Sequence, residues 1–356
     1  MILRLYSMLV DTNFLSMSTT SKQMLNKKGR DTNLRRWTMR RTITVLLTIS
    51  TMFFGVTAHA GAEVLRVVAT TSMIADAARQ VAGDRAEVVA LMGPGVDPHA
   101  YRQTRSDIAA IMRADLVLWH GLYLEAQMEE FFRALESRKP VVAVGEAVPT
   151  ALRRQHDVYQ GRFDPHVWMA PDLWSHVVGA VREALTARDA AGAAIYRANA
   201  ERHLAEIGEL ERYARTALAS VPESQRVLVT AHDAFNYFGA AYGFEVVGIQ
   251  GISTEAEAGL RHVESLVDLI VARGVRAVFV ESSVSDRNMR ALVEGAAAAG
   301  RQVAVGGQLF SDAMGLPDTY EGTYIGMIDH NVTTIVQALG GTVPARGMKG
   351  RLGAGS

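Results

Sequence analysis

The feature that most constrains this fold is a regular alternation of short apolar runs with segments of helical pattern. Eight runs rich in Val, Leu and Ala lie at 64–72, 86–93, 115–121, 140–146, 226–232, 245–251, 277–283 and 302–310. Apolar strands with helices between them are typical of parallel sheets that are covered on both faces. Because the runs fall into two sets of four, we predict two parallel-sheet lobes.

Residues 187–219, between the two sets, contain no proline and are dominated by Ala, Glu, Leu and Arg, which predicts one long helix. We therefore predict an α/β fold with an N-terminal lobe at 61–186, a rigid linking helix at 187–220 and a C-terminal lobe at 221–340. The alternative is an ordinary crossover helix within one larger sheet. The Gly-rich tail, 341–356, is expected to be disordered.

The segment 39–60 has the features of an export signal: a basic start, an apolar run and an Ala-His-Ala ending. We predict cleavage before Gly61. A membrane anchor is the alternative, although an apolar run of about 15 residues is short for a bilayer span. The polar segment 1–38 is unusual before a signal peptide, and we interpret it as an extension upstream of a true start at Met39.

The composition excludes several kinds of site. The chain has no cysteine, which rules out disulfides, thiolate metal sites and thiol nucleophiles. An acylated lipoprotein cysteine is ruled out as well, so we expect a soluble periplasmic protein. Beyond residue 60 the net charge is about −7, which argues against nucleic-acid binding and favours a cation as ligand.

Two copies of Asp-Pro-His, ending at His99 and His166, stand out in a chain with ten histidines. Proline fixes its own φ angle and restrains the residue before it, so each imidazole is presented from a stiff backbone. His232 ends an apolar run and Asp312 follows another, which places all four side chains at predicted strand ends. Ligands bind beyond the carboxyl ends of parallel strands, so we predict one metal site in the cleft between the lobes.

Each of these residues also has a purely structural interpretation. A single Asp-Pro-His can be a turn with a solvated histidine. His232 alone fits a hydrogen-bonded core residue, and Asp312 alone fits a helix N-cap. The repetition of the motif at equivalent strand ends favours the metal site.

Five segments in order, GPGVDPHAY, FDPHVWMAP, TAHDAF, VFVESS and LFSDAMG, resemble the zinc- and manganese-binding solute-binding proteins of bacterial ABC transporters, the group called cluster A-I. The resemblance extends from about residue 65 to 339. It implies two α/β lobes joined by a long helix, with one divalent ion between them. The family's four metal ligands fall on His99, His166, His232 and Asp312.

The identity of the metal stays open between Mn²⁺ and Zn²⁺. Many manganese-type members carry Glu where this chain has His232, and three imidazoles with one carboxylate suit four-coordinate Zn²⁺. A bidentate carboxylate would suit Mn²⁺, and the His-rich loop that is usual in the zinc branch is missing before His166. Glu281, at the end of a predicted strand, is either a hydrogen-bond partner of a ligand imidazole or a helix N-cap.

The resemblance implies that the protein captures a metal ion in the periplasm and delivers it to a membrane permease driven by an ATPase. We expect a monomer with no enzymatic activity and no nucleic-acid partner. The alternatives are an adhesin-like metal-binding protein of the same fold and a metallohydrolase. A hydrolase needs an open coordination position, which Asp312 would fill here.

Overall fold

The computed structural model describes residues 64–156, 158–255 and 258–353. The predicted extension 1–38 and the predicted signal peptide 39–60 lie outside the described residues. Within the described part of the chain, no helix combines the length and the apolar character needed to cross a membrane.

The N-terminal lobe contains one parallel sheet. Its strands are β1 (Leu65–Ala69), β2 (Ala86–Ala90), β3 (Leu116–Trp119) and β4 (Val141–Ala143), in the order β2-β1-β3-β4. Strand β3 is buried along its whole length. This is why its sequence is continuously apolar, as expected for a strand that is covered on both faces.

The C-terminal lobe is also built from four parallel strands. Its strands are β5 (Val227–His232), β6 (Glu245–Gln250), β7 (Ala277–Glu281) and β8 (Ala304–Leu309). Parallel ladders join β5 to β6 and β7 to β8, and β5 lies beside β7. In the described residues these ladders form two two-stranded parallel sheets, with β5 and β7 as the neighbouring strands between them. The predicted α/β class with two parallel-sheet lobes is therefore confirmed.

Nine α-helices accompany these strands in the described residues: α1 (Ser72–Ala82), α2 (Arg105–Arg113), α3 (Glu129–Glu136), α4 (Pro171–Arg188), α5 (Ala193–Ala219), α6 (Asn236–Tyr242), α7 (Leu260–Arg273), α8 (Arg287–Ala298) and α9 (Tyr324–Ala338). Local sequence sets several of their ends. At the start of α2, Thr104 and Asp107 form a reciprocal capping box. At the start of α4, Pro171 occupies a first-turn position, where its missing N–H costs nothing.

The long helix α5 begins at residue 193, six residues later than predicted. The chain between α4 and α5 makes a short turn around Asp189, whose carboxylate accepts hydrogen bonds from Arg85 Nε at 2.8 Å and Tyr196 Oη at 2.5 Å. A Cβ on Gly192 would lie only 2.5 Å from atoms of Arg85 and Tyr196. Helical propensity alone predicted a continuous helix, but this tertiary cluster ends one helix and starts the next.

Helix α5 is packed against both lobes. Its buried residues recur at helical spacing, for example Ile207, Leu210 and Ala214, and they face α1 and α4 on one lobe and α9 on the other. One apolar core cluster extends from β1 through α5 to α9. The two lobes therefore share a hydrophobic core along this helix, which opposes their separation.

The described part of the tail, residues 341–353, packs against the C-terminal lobe, in contrast to the disorder predicted for 341–356. Leu352 is buried, and the backbone N–H of Met348 donates to the carboxylate of Asp329 at 2.9 Å. A Cβ on Gly347 would approach this carboxylate to 2.5 Å, so the glycine allows the tail to lie close. A high glycine content predicts disorder, but here a glycine permits a close backbone contact.

We predict that Asp329→Asn lowers the free energy of unfolding by about 2 kcal/mol, because Asp329 is fully buried and also accepts a hydrogen bond from Tyr320. Urea unfolding of residues 61–356 measures the change. The matched control is Asp268→Asn on the exposed face of α7, which should change stability by less than about 0.5 kcal/mol. Equal stability of the two variants would contradict this role of Asp329.

Candidate metal centre

The four predicted ligand residues lie together where the carboxyl ends of the strands of both lobes meet. His99 lies in the loop after β2, and His166 lies between β4 and α4. His232 is the last residue of β5, and Asp312 follows β8 by three residues. All four side chains are buried, and one potential ligand atom from each lies within 4.8 Å of the others.

The distances between these side chains are short enough for one ion to contact all of them. The Nε2 atoms of His99 and His166 are 3.3 Å apart. The carboxylate of Asp312 presents Oδ1 at 3.4 Å from His166 Nε2 and Oδ2 at 3.2 Å from His232 Nε2. Both oxygens therefore face the imidazoles.

Two polar atoms at this centre are unsatisfied. Within the described residues, His232 Nε2 and Asp312 Oδ1 are buried and make no well-aligned hydrogen bond, although His232 Nε2 lies 3.2 Å from Asp312 Oδ2 and Asp312 Oδ1 lies 3.4 Å from His166 Nε2. Buried polar groups without partners are costly, and proteins retain few of them. A cation bound between the imidazoles and the carboxylate would satisfy both atoms, so the donor set fits a metal ion.

The two Asp-Pro-His turns have the same local structure. In each, the aspartate Oδ1 accepts the backbone N–H of the histidine two residues later, at 2.9 Å for Asp97 and 3.0 Å for Asp164. Aspartate commonly stabilises turns by this contact. The motif thus holds the backbone of His99 and of His166 in a defined turn.

Two carboxylates orient two of the three imidazoles of the centre. Glu281 Oε2 lies 2.5 Å from His232 Nδ1, and Asp164 Oδ1 lies 2.7 Å from His166 Nδ1. A ring that donates Nδ1–H to a carboxylate keeps the lone pair of Nε2 available for a metal. Glu281 thus contacts the ring of His232, which is the first of the two roles that its position at a strand end left open.

The sequence alone does not reveal this orienting role of Asp164, because the Asp-Pro-His motif predicts only a turn. Asp164 does both, because its Oδ1 accepts the backbone N–H and lies beside the ring of the same histidine. The spacing Asp-x-His was the available signal. This spacing does not distinguish Asp164 from Asp97, which accepts the backbone N–H of His99 but not a hydrogen bond from the His99 ring.

The electrostatics keep Asp312 ionised. Burial alone would raise its pKa, but His232 and His166 hold the pKa of Asp312 well below its usual value. Burial lowers the pKa of His99 to about 3, so this ring is neutral. Burial acts in the same direction on His166, but Asp164 and Asp312 raise its pKa to about 8. The centre thus contains a carboxylate whose charge is balanced by protons or by a bound cation.

Other histidines do not join this centre. His120 Nε2 contacts the carbonyl oxygen of Pro165 at 2.7 Å, so His120 supports the backbone just before His166. His262 and His330 contact backbone carbonyl oxygens through their Nε2 atoms. These contacts place all three in structural positions.

Comparison with known proteins agrees with the geometry. The family model "Zinc-uptake complex component A periplasmic" matches residues 67–338. The chain is 46% identical over 276 residues to the manganese-binding lipoprotein MntA of Bacillus subtilis, which covers 77% of this chain and 90% of MntA. It is 44% identical over 273 residues to the zinc-binding protein TroA of Treponema pallidum, which covers 77% of this chain and 88% of TroA.

The solved structure of the periplasmic zinc-binding protein TroA from Treponema pallidum has a TM-score of 0.74 to this chain. It covers 77% of this chain and 99% of the TroA chain. The common fold, the extent of the match and the identity over most of both chains all point to one family. The chain belongs to the family of periplasmic zinc-uptake component A proteins, the solute-binding proteins of bacterial metal ABC transporters.

Proposed function

We propose that the protein binds one divalent transition-metal ion, Mn²⁺ or Zn²⁺, through His99, His166, His232 and Asp312, and that an ABC permease receives this ion for import. The observation that carries the proposal is the convergence of four buried donors, two from each lobe, within 4.8 Å. Family membership supports the same conclusion, since relatives are named as manganese-binding and zinc-binding proteins.

The coordination of Asp312 bears on the choice of metal. If only one carboxylate oxygen binds, three imidazoles and that oxygen make the four-coordinate set that suits Zn²⁺. Both oxygens of Asp312 lie within 3.4 Å of ligand imidazoles, which also allows a five-donor set. A higher coordination number with carboxylate oxygens favours Mn²⁺, although Zn²⁺ binds more tightly to almost any site of this kind.

When the metal binds, the ligand imidazoles release protons and the hydrated ion releases water molecules. Imidazoles must be deprotonated to bind, so protons held on His166 or His232 leave as the metal enters. The ionised Asp312 supplies the charge that attracts the cation. Asp164 and Glu281 keep the ring Nδ1 atoms occupied, so that the Nε2 atoms face the ion.

Delivery requires a partner in the membrane. As a component of an ABC transporter, the loaded protein would dock on a permease whose ATPase subunit drives import. We further propose that it works as a monomer in the periplasm and that residues 39–60 form a cleaved signal peptide. The alternatives of an adhesin and a metallohydrolase lose support, because the family is one of transport components.

We predict that purified residues 61–356 bind one equivalent of Mn²⁺ or of Zn²⁺ and that His166→Ala abolishes stoichiometric binding, since it removes a central donor. Isothermal titration of chelator-stripped protein measures this, together with the rise in melting temperature on metal addition. The control is His176→Ala, because His176 is exposed on α4. Undiminished binding by His166→Ala would refute the proposed ligand set.

We predict that Glu281→Gln weakens metal affinity about 10- to 100-fold, the usual effect of losing a partner that orients a ligand. Competition with a calibrated chelator measures the dissociation constant. Glu294→Gln, at an exposed position on α8, is the matched control and should keep wild-type affinity. An unchanged affinity in Glu281→Gln would contradict the orienting role. Glu281 would then only link β7 to β5, through its hydrogen bond from the backbone N–H of His232.

A further inference from the structure

The loop that carries His99 reaches across the cleft through Asp97. The two carboxylate oxygens of Asp97 have different partners. Oδ1 accepts the backbone N–H of His99 at 2.9 Å, within the N-terminal lobe. Oδ2 accepts the hydroxyl of Thr254, in the loop after β6 of the C-terminal lobe, at 2.6 Å. One carboxylate thus joins the backbone of a predicted ligand to the opposite lobe.

The contact continues into the second lobe. The backbone carbonyl of Thr254 accepts a hydrogen bond from Gln250 Nε2 at 3.0 Å. Gln250 ends β6, and its register partner in β5 is His232. A continuous chain of hydrogen bonds and strand pairing therefore connects the turn of His99 to the strand that ends in His232.

His99 depends on this connection more than the other imidazoles do. The rings of His166 and His232 are each held at Nδ1 by a carboxylate. In the described part of the chain, no carboxylate accepts a hydrogen bond from the ring of His99, whose position follows from its backbone turn. The loop of His166 has further anchors on the C-terminal lobe, including the bond from Trp168 Nε1 to the carbonyl oxygen of Ser311 at 2.8 Å.

We propose that the Asp97–Thr254 hydrogen bond is a positioning contact that holds His99 against the other three donors and sets the rate at which the metal leaves. The proposal rests on the proposed metal-binding function. Because the bond joins the two lobes, separation of the loops would break it and withdraw His99 first. The other donors keep their own orienting contacts at that stage.

The test compares two neighbouring substitutions in one loop. Thr254→Val removes the hydroxyl at nearly constant shape, whereas Ser253→Ala removes a hydroxyl whose hydrogen bond stays within its own loop. With Mn²⁺ and, separately, Zn²⁺ as probes, stopped-flow transfer to excess EDTA measures release. We expect release about tenfold faster for Thr254→Val, as for a lost hydrogen bond to a charged acceptor. Ser253→Ala and Thr254→Ser should release at the wild-type rate.

A second readout does not require metal. In the metal-free protein, hydrogen exchange of the backbone amide of His99 should be faster in Thr254→Val than in wild type or Ser253→Ala. Equal exchange and equal release in Thr254→Val and Ser253→Ala would overturn the positioning role. Failure of the wild-type chain to bind metal would refute the proposed function instead, and the exchange measurement would still decide the Asp97–Thr254 contact.

Discussion

The packing of helix α5 against both lobes is the constraint on which the metal centre depends. His99 and His166 belong to one lobe, and His232 and Asp312 belong to the other. Donors on separate bodies can converge within 4.8 Å only if the bodies keep a fixed relation. The shared apolar core along α5 provides that relation, because separating the lobes would expose this surface to water.

Within that frame, buried carboxylates determine the chemistry of the centre. A buried charge is costly unless it is paired, and each carboxylate here has a partner. Asp164 and Glu281 are paired with imidazole Nδ1 atoms, whereas Asp312 faces the Nε2 atoms of His166 and His232. The first two orient the rings, and the third is available to neutralise a cation. The division of roles follows from which side of the ring each carboxylate faces.

The sequence predicted the eight strands. It also predicted that the four candidate ligands lie at the carboxyl ends of strands, two in each lobe. Apolar runs and strand-end positions are local signals, and the structure confirms the architecture that they imply. Three features were not predicted from the sequence, because they depend on the folded structure. Helix α5 starts at Ala193 because Arg85 contacts Asp189, and the tail is held by Asp329. Asp164 contacts the ring of His166 only because the folded turn brings its carboxylate beside that ring.

The sequence by itself determined the fold class, the strand-end location of the candidate ligands and the resemblance to metal-binding transport components. These depend on periodicity and on motifs of a few residues, which act through local backbone preferences. Only the tertiary structure decided which carboxylate orients which imidazole and that Asp97 reaches Thr254 across the cleft. Asp97 and Thr254 are 157 residues apart in the chain, and only the packing of the two lobes along α5 brings them within hydrogen-bonding distance.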